Sequence, residues 1–290
     1  MNKSFSFCIS FSGFTVKFNL PTKIIIPECF SNLLCENTDT PVAEYLVELL
    51  SAPLRPEGCA VYSQKDFCVY KTDEGWLRIY TPLVTEDGCQ VACLMNESGK
   101  NTLYYPASMW NQHKAYWHCT HLLCGELLLA YNTALLLHSS VVEINSRVLL
   151  FCGESGVGKS TQASLWERYK NAKILNGDRC VITEHDGVFY GGGSPWSGTS
   201  GIYHPERYPI AGIVMLRKDK TNTLEEIGAK AFSRLYSQTT LNTWDKDFMD
   251  TISDIYVHLL EKVPVFELRC LPNKEATDLI YDAVFAKEES

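Results

Sequence analysis

The sequence lacks several features that would place the protein outside the cell or in a membrane. Its twelve cysteines contain no Cys-x-x-Cys pair and have irregular spacing, and no repeat or low-complexity tract is present. No secretory signal is visible, because Phe5, Phe7, Ile9 and Phe11 alternate with Ser or Cys as in a strand. We interpret the cysteines as reduced, mostly buried residues of a cytoplasmic protein.

Positive charge and long apolar runs are also scarce. The formal net charge is −8, which argues against a broad nucleic-acid-binding surface. The longest apolar run, Leu122–Leu137, is interrupted by Glu126 and Asn132 and is too short to span a bilayer. We therefore expect neither nucleic acid nor a membrane as a partner, and we predict a buried helix over Tyr116–Leu137. A packing role is favoured over metal binding for three residues of that helix: His118, His121 and Cys124.

The first part of the chain is predicted to be a β-rich region over residues 1–112, followed by a second region over residues 113–290. A hairpin is expected from Phe5–Phe11 and Phe14–Leu20, and a short helix from Val42–Leu50. Five further strand-like runs are separated by turn residues: Ala60–Tyr62, Phe67–Tyr70, Trp76–Tyr80, Gln90–Leu94 and Thr102–Tyr105. The composition of the whole chain is that of an ordinary globular protein.

The most informative stretch fits the phosphate-binding loop pattern of Gly, four residues, Gly-Lys and then Ser or Thr. Its glycines allow the backbone N–H groups to approach phosphate oxygens, and Lys159 places a positive charge near the β- and γ-phosphates. The Ser160 hydroxyl can ligate Mg²⁺, and the start of the following helix favours an anion. We therefore predict nucleotide binding by nine residues: Gly153, Glu154, Ser155, Gly156, Val157, Gly158, Lys159, Ser160 and Thr161.

The surrounding pattern agrees with that assignment. Val148–Cys152 is predicted as a buried strand that leads into the loop, and Lys159–Tyr169 as the helix that follows it. Strands are also expected at Val141–Ile144, Lys173–Leu175, Cys180–Thr183, Val188–Tyr190, Ile210–Leu216 and Val265–Leu268. Helices are expected at Ala229–Gln238, Lys246–Leu260 and Lys274–Phe285. The Gly-rich stretch from Gly191 to Gly201 is predicted to be a loop, either a lid or a connector.

A phosphate-binding loop alone does not decide between ATPase, GTPase and kinase. Asp178 lies nineteen residues after Lys159, at the end of a short predicted strand, where a carboxylate can reach Mg²⁺ on the phosphates. The chain has neither the Ser-Gly-Gly signature of transporter ATPases nor the Asn-Lys-x-Asp of GTPases, since Asn273-Lys274-Glu275-Ala276 lacks the Asp.

Five segments occur in an order that resembles the HPr kinase/phosphorylase-like family, which is akin to phosphoenolpyruvate carboxykinases. The segments are His138-Ser139-Ser140, Gly153 to Thr161, Asn176-Gly177-Asp178-Arg179, Pro195-Trp196-Ser197-Gly198 and Val263-Pro264-Val265-Phe266-Glu267-Leu268. The resemblance covers about half of the chain, from Leu135 onwards, and is to relatives found beside peptide-modification systems. It implies an α/β fold, a mixed sheet flanked by helices, in which a kinase domain follows the β-rich part.

The resemblance also implies the chemistry and the residues that perform it. It implies ATP- and Mg²⁺-dependent phosphorylation of a Ser hydroxyl, with His138 near the transferred phosphate. Asp178 and Lys159 are the other predicted catalytic residues, and Ser160 and Asp178 the predicted metal ligands. The chain departs from the family at Gly177, where relatives usually carry a second Asp. Asp178 then either acts as both base and metal ligand, or is assisted by Glu154 or His138, or activity is lost.

We therefore expect a P-loop kinase that acts on a serine-bearing protein or peptide. One alternative is a nucleotide-binding subunit without catalysis, a pseudokinase of a peptide-modifying complex, which the missing Asp favours. A second alternative is a small-molecule kinase, which the β-rich first part does not exclude. Arg179, Arg217 and Lys218 are basic residues that could contact phosphate. Relatives in one branch form hexamers, so whether this chain forms an oligomer stays open.

Overall fold

A computed structural model describes residues 5–36, 40–110 and 123–286 as a mixed α/β protein with two large sheets. The chain divides into two compact units. The first unit consists of the chain up to Asn132 without Phe11–Gly13, and it also includes Asn242–Lys246. The second unit consists of Thr133–Leu241 and the chain from Asp247, and it also includes Phe11–Gly13. The domain boundary predicted at residues 112/113 falls in residues 111–122, outside the described residues. Within the described ranges, no helix is long and apolar enough to cross a membrane.

A nine-stranded sheet in the order β3-β1-β2-β4-β9-β8-β7-β6-β5 contains the first nine strands of the chain. These strands are β1 Phe5–Phe11, β2 Phe14–Leu20, β3 Leu34–Cys35, β4 Ala43–Leu50, β5 Tyr62–Ser63, β6 Phe67–Thr72, β7 Gly75–Val84, β8 Gln90–Met95 and β9 Lys100–Pro106. The short helices of this part are α1 Glu28–Ser31, α2 Ala107–Trp110 and α3 Gly125–Tyr131. The strand pair predicted at Phe5–Phe11 and Phe14–Leu20 has the bounds of β1 and β2, and Ser12 and Gly13 between them have positive φ (49° and 86°).

The helix predicted at Val42–Leu50 is wrong, because these residues form β4. Ala43, Tyr45 and Val47 are buried while Leu46 and Glu48 are exposed, so the pattern has the period of a strand. β4 is central in its sheet and pairs in parallel with both β2 and β9. In such a short stretch the apolar spacing did not distinguish a period of two from one of 3.6.

The long helix predicted at Tyr116–Leu137 is confirmed over Gly125–Tyr131 and is wrong from Ala134 to Leu137. Only α3 is helical among the described residues of that run, and a strand begins at Ala134, after Thr133 with a φ of 53°. Residues of α3 and of the following strand are buried almost without exception. A run that is buried on all sides carries no periodic signal. The first part of the predicted helix lies outside the described residues.

The second sheet has eight strands, and the segment with the phosphate-binding pattern follows the second of them in chain order. Its strands are β10 Ala134–Ile144, β11 Arg147–Cys152, β12 Lys173–Asn176, β13 Arg179–His185, β14 Val188–Gly192, β15 Arg207–Lys218, β16 Thr223–Glu226 and β17 Val265–Cys270. Its helices are α4 Lys159–Lys170, α5 Phe232–Tyr236, α6 Lys246–Lys262 and α7 Lys274–Val284, with a 3₁₀ helix at Gly228–Ala231. The single helix predicted over Ala229–Gln238 is therefore two short helical pieces.

Two long strands organise this sheet. The first part of β10 pairs with β13, and its second part pairs with β11. The first residues of β15, Arg207–Pro209, pair with β14, and the stretch from Ile210 to Met215 pairs in parallel with β11. β11 therefore lies between β10 and β15 and is fully buried beyond its first residue. Trp166 of α4 packs with Phe151 of β11 in the core beneath. This packing fixes the loop that joins β11 to α4.

Candidate functional site

The loop that joins β11 to α4 has the backbone geometry that its glycines allow. Gly153, Gly156 and Gly158 have φ values of 140°, 76° and 117°, which side-chain-bearing residues rarely adopt. A Cβ at Gly153 would lie 3.0 Å from Val157 Cγ1, whereas at Gly156 there is open space. The nine residues predicted to bind the nucleotide form this loop and the first turn of α4.

Lys159 is buried at the start of α4, and its side chain points back along the loop. Its Nζ donates hydrogen bonds to the carbonyl oxygens of Gly153 (2.9 Å) and Glu154 (3.3 Å). Burial lowers the pKa of Lys159, and the neighbouring Cys152 and Asp178 partly oppose that effect. The ammonium group is thus held at the loop by backbone oxygens, where an incoming phosphate would offer it a charged partner.

The strand register brings His138 and Asp178 to the same edge of the loop. Ser139 on β10 pairs with Cys152, the residue immediately before Gly153. The Ser139 N–H also donates to the carbonyl oxygen of Asp178 at 3.0 Å. His138 Nε2 lies 3.2 Å from Asp178 Oδ1, and the two side chains are 27% and 31% exposed.

Asn176 shapes the turn that presents Asp178. Its Oδ1 accepts the N–H groups of Asp178 (2.8 Å) and Arg179 (2.9 Å), and its Nδ2 donates to the carbonyl of Ser194 (3.0 Å). An Asn side chain that bonds to backbone two residues ahead is a standard way to stabilise a turn. Sequence reasoning quoted Asn176 only as part of a motif, although this local pattern could have indicated its positioning role.

The Asp178 carboxylate is surrounded by positive charge. The hydrogen bond with His138 is the main cause that lowers the pKa of Asp178; burial opposes it, and the charges of Arg179 and Lys159 add to it. Arg179 Nε lies 3.3 Å from Asp178 Oδ2, while Arg179 Nη1 donates to Thr240 Oγ1 at 2.8 Å. Asp178 is therefore a carboxylate at neutral pH, suited to hold a cation or to orient a hydroxyl group.

The Gly-rich loop after β14 lies against Gly177 and Asp178. A Cβ at Gly177 would lie 2.5 Å from both Cβ and Oγ of Ser200, and one at Gly198 would lie 2.9 Å from Asp178 Cγ. Ser200 Oγ donates to the carbonyl of Ser197 at 2.7 Å, which holds the loop in this form. Gly177 thus occupies a position that has no room for a side chain unless Ser200 moves.

Two cavities flank the phosphate-loop pattern. The larger, of about 630 Å³, lies along Gly153–Val157 and is walled by Arg217, Lys218, Arg234 and Gln238. The smaller, of about 400 Å³, lies on the α4 side and is lined by Gly158, Thr161, Gln162, Leu271 and Pro272 among others.

The larger cavity has polar residues that sequence reasoning missed. The carbonyl oxygen of Gln238 accepts the backbone N–H of His138 at 2.9 Å, so this wall adjoins the backbone of β10 at His138. Glu267 is nearly buried and bonds to Arg234 and to Arg269, the latter at 2.8 Å. Glu267 belongs to the last of the five segments that carry the family resemblance, but no pattern in the sequence predicts that two arginines converge on it.

The residues at the loop have the chemistry to hold a nucleotide and Mg²⁺. The open space at Gly156 and the ammonium of Lys159 suit a phosphate, and Asp178 is an ionised, partly exposed carboxylate. Ser160 is exposed on the first turn of α4, as is Glu154 within the loop. Mg²⁺ commonly uses one or two protein oxygens together with substrate phosphates. His118 and His121 lie outside the described residues, and Cys124 is buried.

Comparisons with known proteins give a distant likeness to solved structures. No protein-family model matches the chain, and no curated protein matches it. Among solved structures, the Hpr(Ser) kinase/phosphatase from Coxiella burnetii is similar over 53% of this chain and 99% of its own, with 11% sequence identity and a TM-score of 0.31. A likeness at that TM-score does not establish the fold or the function of this chain.

Proposed function

We propose that the protein is an ATP- and Mg²⁺-dependent kinase that transfers the γ-phosphate of ATP to a serine hydroxyl of a protein or peptide. The observation that carries the proposal is the Asp178 carboxylate, held 3.2 Å from His138 Nε2 beside the Gly153–Thr161 loop. A loop of that form binds phosphates, and an adjacent ionised carboxylate supplies what phosphoryl transfer needs beyond binding.

Each residue has a defined part in the proposed reaction. The loop N–H groups and Lys159 hold the phosphates, with Ser160 and Asp178 as ligands of Mg²⁺. When bound, Mg²⁺ neutralises charge on the phosphates. The serine oxygen bonds to the γ-phosphorus as the bond to the β–γ bridging oxygen breaks, ADP leaves, and the hydroxyl proton goes to Asp178. His138 orients the Asp178 carboxylate through its hydrogen bond.

The test compares the wild type with Asp178→Asn, which keeps the size of the side chain and removes its charge. Phosphate transfer from labelled ATP to a panel of serine-containing peptides is expected to fall at least about a hundredfold, because loss of a general base typically costs that much or more. ATP affinity measured by calorimetry is expected to persist through Lys159 and the loop. Asp186→Asn, at the exposed turn between β13 and β14, is the matched control and should retain transfer. A mutant as active as wild type would refute the role of Asp178.

A second candidate is a nucleotide-binding subunit without catalysis, which Gly177 in place of a second Asp favours. A side chain at Gly177 fits only if Ser200 moves, so Asp178 is left to act without a second carboxylate. This candidate predicts a wild type that binds ATP but neither hydrolyses it nor phosphorylates any peptide in the panel.

A further inference from the structure

The larger cavity beside the loop has an excess of basic side chains. Arg217, Lys218 and Arg234 line it, against the carboxylates of Glu154 and Glu267. The excess stands out in a chain whose formal net charge is −8. A wall of one charge around a concave site concentrates ligands of the opposite charge.

The two carboxylates do not neutralise this wall. Glu267 is shared by two arginines, Arg234 and Arg269, so one acidic group faces two cations. Glu225 faces Glu267 from β16 in the strand register but does not line the cavity. Positive charge therefore remains after the internal ion pairs are formed.

The strand neighbour of Arg217 is another basic residue. In the register of the parallel strands β15 and β17, Arg217 lies beside Arg269, which is itself paired with Glu267. Within the described ranges, neither Arg217 nor Lys218 forms an ion pair, and both are exposed. An anion in the cavity would give these two side chains the partner that the protein itself does not supply.

The two cavities differ in the chemistry that they can hold. The smaller one, on the α4 side, has Lys218 and Asp219 on its wall, and its other lining includes the apolar residues Leu216, Leu271 and Pro272, which suit an uncharged ring system. The larger one is basic and reaches Gln238, whose carbonyl accepts the N–H of His138. Its volume of about 630 Å³ is in the range of sites that enclose a whole ligand. The basic cavity thus adjoins both the backbone of His138 and the Gly153–Val157 loop proposed to hold the phosphates, where the γ-phosphate and the acceptor hydroxyl must meet.

We infer that the larger cavity selects the acceptor: it binds peptides in which acidic residues flank the target serine, through Arg217, Lys218 and Arg234. This inference rests on the proposed kinase function for the identity of the acceptor, and it deepens that function by naming its substrate class. Arg217 and Lys218 carry the recognition, because Arg234 is already engaged with Glu267.

The first test measures binding and does not require catalysis. Two fluorescent peptides carry the same serine, flanked by Asp and Glu in one and by Asn and Gln in the other, and their affinities are measured by anisotropy. The acidic peptide is expected to bind about tenfold more tightly, and Arg217→Gln/Lys218→Gln to remove most of that preference, since partly exposed charge pairs are worth at most a few-fold each. Lys220 is an exposed lysine that lines neither cavity, so Lys220→Gln is the matched control and should keep the preference for the acidic peptide.

The second test determines whether the basic cavity binds the acidic peptide or the phosphates of the nucleotide. A non-hydrolysable ATP analogue with Mg²⁺ is expected to leave the acidic peptide bound. If the analogue displaces the peptide, or if both peptides bind equally, the cavity does not select acidic acceptors and the inference is overturned.

The third test separates failure of the inference from failure of the proposed function. With labelled ATP, Arg217→Gln is expected to raise the KM of the acidic peptide several-fold, with a smaller effect on kcat. Equal KM values for the acidic and neutral peptides would overturn the inference and leave the kinase function intact. Selective binding of the acidic peptide without any transfer would support the inference and overturn the kinase function.

Discussion

Each of the two units contains a paired arginine and carboxylate, and the two pairs differ in how much of their bonding the protein completes. In the first unit, Arg78 and Glu126 are each only 8% exposed, Arg78 also donates to Asn242 Oδ1 at 3.2 Å, and its guanidinium lies 4.6 Å from the ring centre of Phe67. In the second unit, Asp178 contacts Arg179 and His138 but remains 31% exposed. The first pair is enclosed by protein; the second retains surface for a ligand.

This difference separates a structural charge from a candidate functional one. A buried ion pair with aromatic and amide neighbours fixes the packing of the elements that carry it, and loss of one partner leaves an uncompensated charge. A half-exposed carboxylate next to a phosphate-binding loop pattern contributes little to folding and can exchange its partners for a ligand. The comparison predicts opposite responses of stability and activity to substitution in the two units.

The largest effect on stability is expected in the first unit. Arg78→Met and Glu126→Gln, made singly, should each lower the free energy of unfolding by about 3–5 kcal/mol, because each leaves a buried charge unpaired. The double variant Arg78→Met/Glu126→Leu should recover much of that loss. Urea denaturation of the four proteins gives the values, and Asp178→Asn should differ from wild type by no more than about 1 kcal/mol. Equal losses at Glu126 and Asp178 would contradict the comparison.

The largest effect on binding is expected at Lys159 in the second unit. Lys159→Ala removes the ammonium that lies between the Gly153 and Glu154 carbonyl oxygens. Affinity for ATP with Mg²⁺ should fall by about tenfold to a hundredfold, since a hydrogen bond to a charged group is worth about 1.5–3 kcal/mol. Calorimetry measures the affinity, and thermal unfolding checks that the variant is folded. Unchanged affinity would mean that the loop does not bind phosphates through Lys159.

The sequence predicted the local parts of this arrangement well. The loop, the strand before it and the helix after it follow from residues that are adjacent in the chain. The strands predicted at Val141–Ile144 and Val148–Cys152 lie within β10 and β11, which pair, with Asn145 and Ser146 at positive φ in the turn between them. Each of these elements is encoded by a local pattern of glycine, apolar or turn residues.

The parts that were missed depend on tertiary contacts. The approach of His138 to Asp178 follows from the register between β10 and its neighbours, which no local pattern encodes. A side chain at Gly177 would meet Ser200, which lies twenty-three residues further along the chain. The strand β4 was predicted as a helix because its apolar residues suit both periods, and only pairing with β2 and β9 decides between them.

A smaller and more specific effect is expected at Gly198, which has a φ of 57° and lies against Asp178. Gly198→Ala places a Cβ 2.9 Å from Asp178 Cγ, so the carboxylate must shift and phosphate transfer should fall several-fold or more. Gly201→Ala is the matched control, because Gly201 has a similar φ of 64° but no atom within 4 Å of its added Cβ. Both variants bear the same backbone strain, about 1–2 kcal/mol. Equal activities of the two would show that contact with Asp178 does not affect transfer.

The smallest expected effect concerns the pH dependence of stability, and its sign follows from the lowered pKa of Asp178. The hydrogen bond with His138 and the charges of Arg179 and Lys159 stabilise the ionised carboxylate in the folded protein relative to the unfolded chain, where the ordinary pKa is 3.8. The stabilisation is therefore fully present above pH 3.8 and is lost as the pH falls through the lower folded-state pKa. Because the side chain is 31% exposed, solvent screening keeps the contribution small.

The measurement is the difference in unfolding free energy between wild type and Asp178→Asn, followed by urea denaturation from neutral pH into the acid range in which both proteins are folded. The difference should shrink as the pH falls. In a His138→Gln background the same difference should be smaller already at neutral pH, because the main cause of the lowered pKa has been removed. A difference that grows on acidification would mean that burial outweighs the neighbouring positive groups at Asp178, and the half-exposed carboxylate would then resemble the enclosed pair of the first unit instead of contrasting with it.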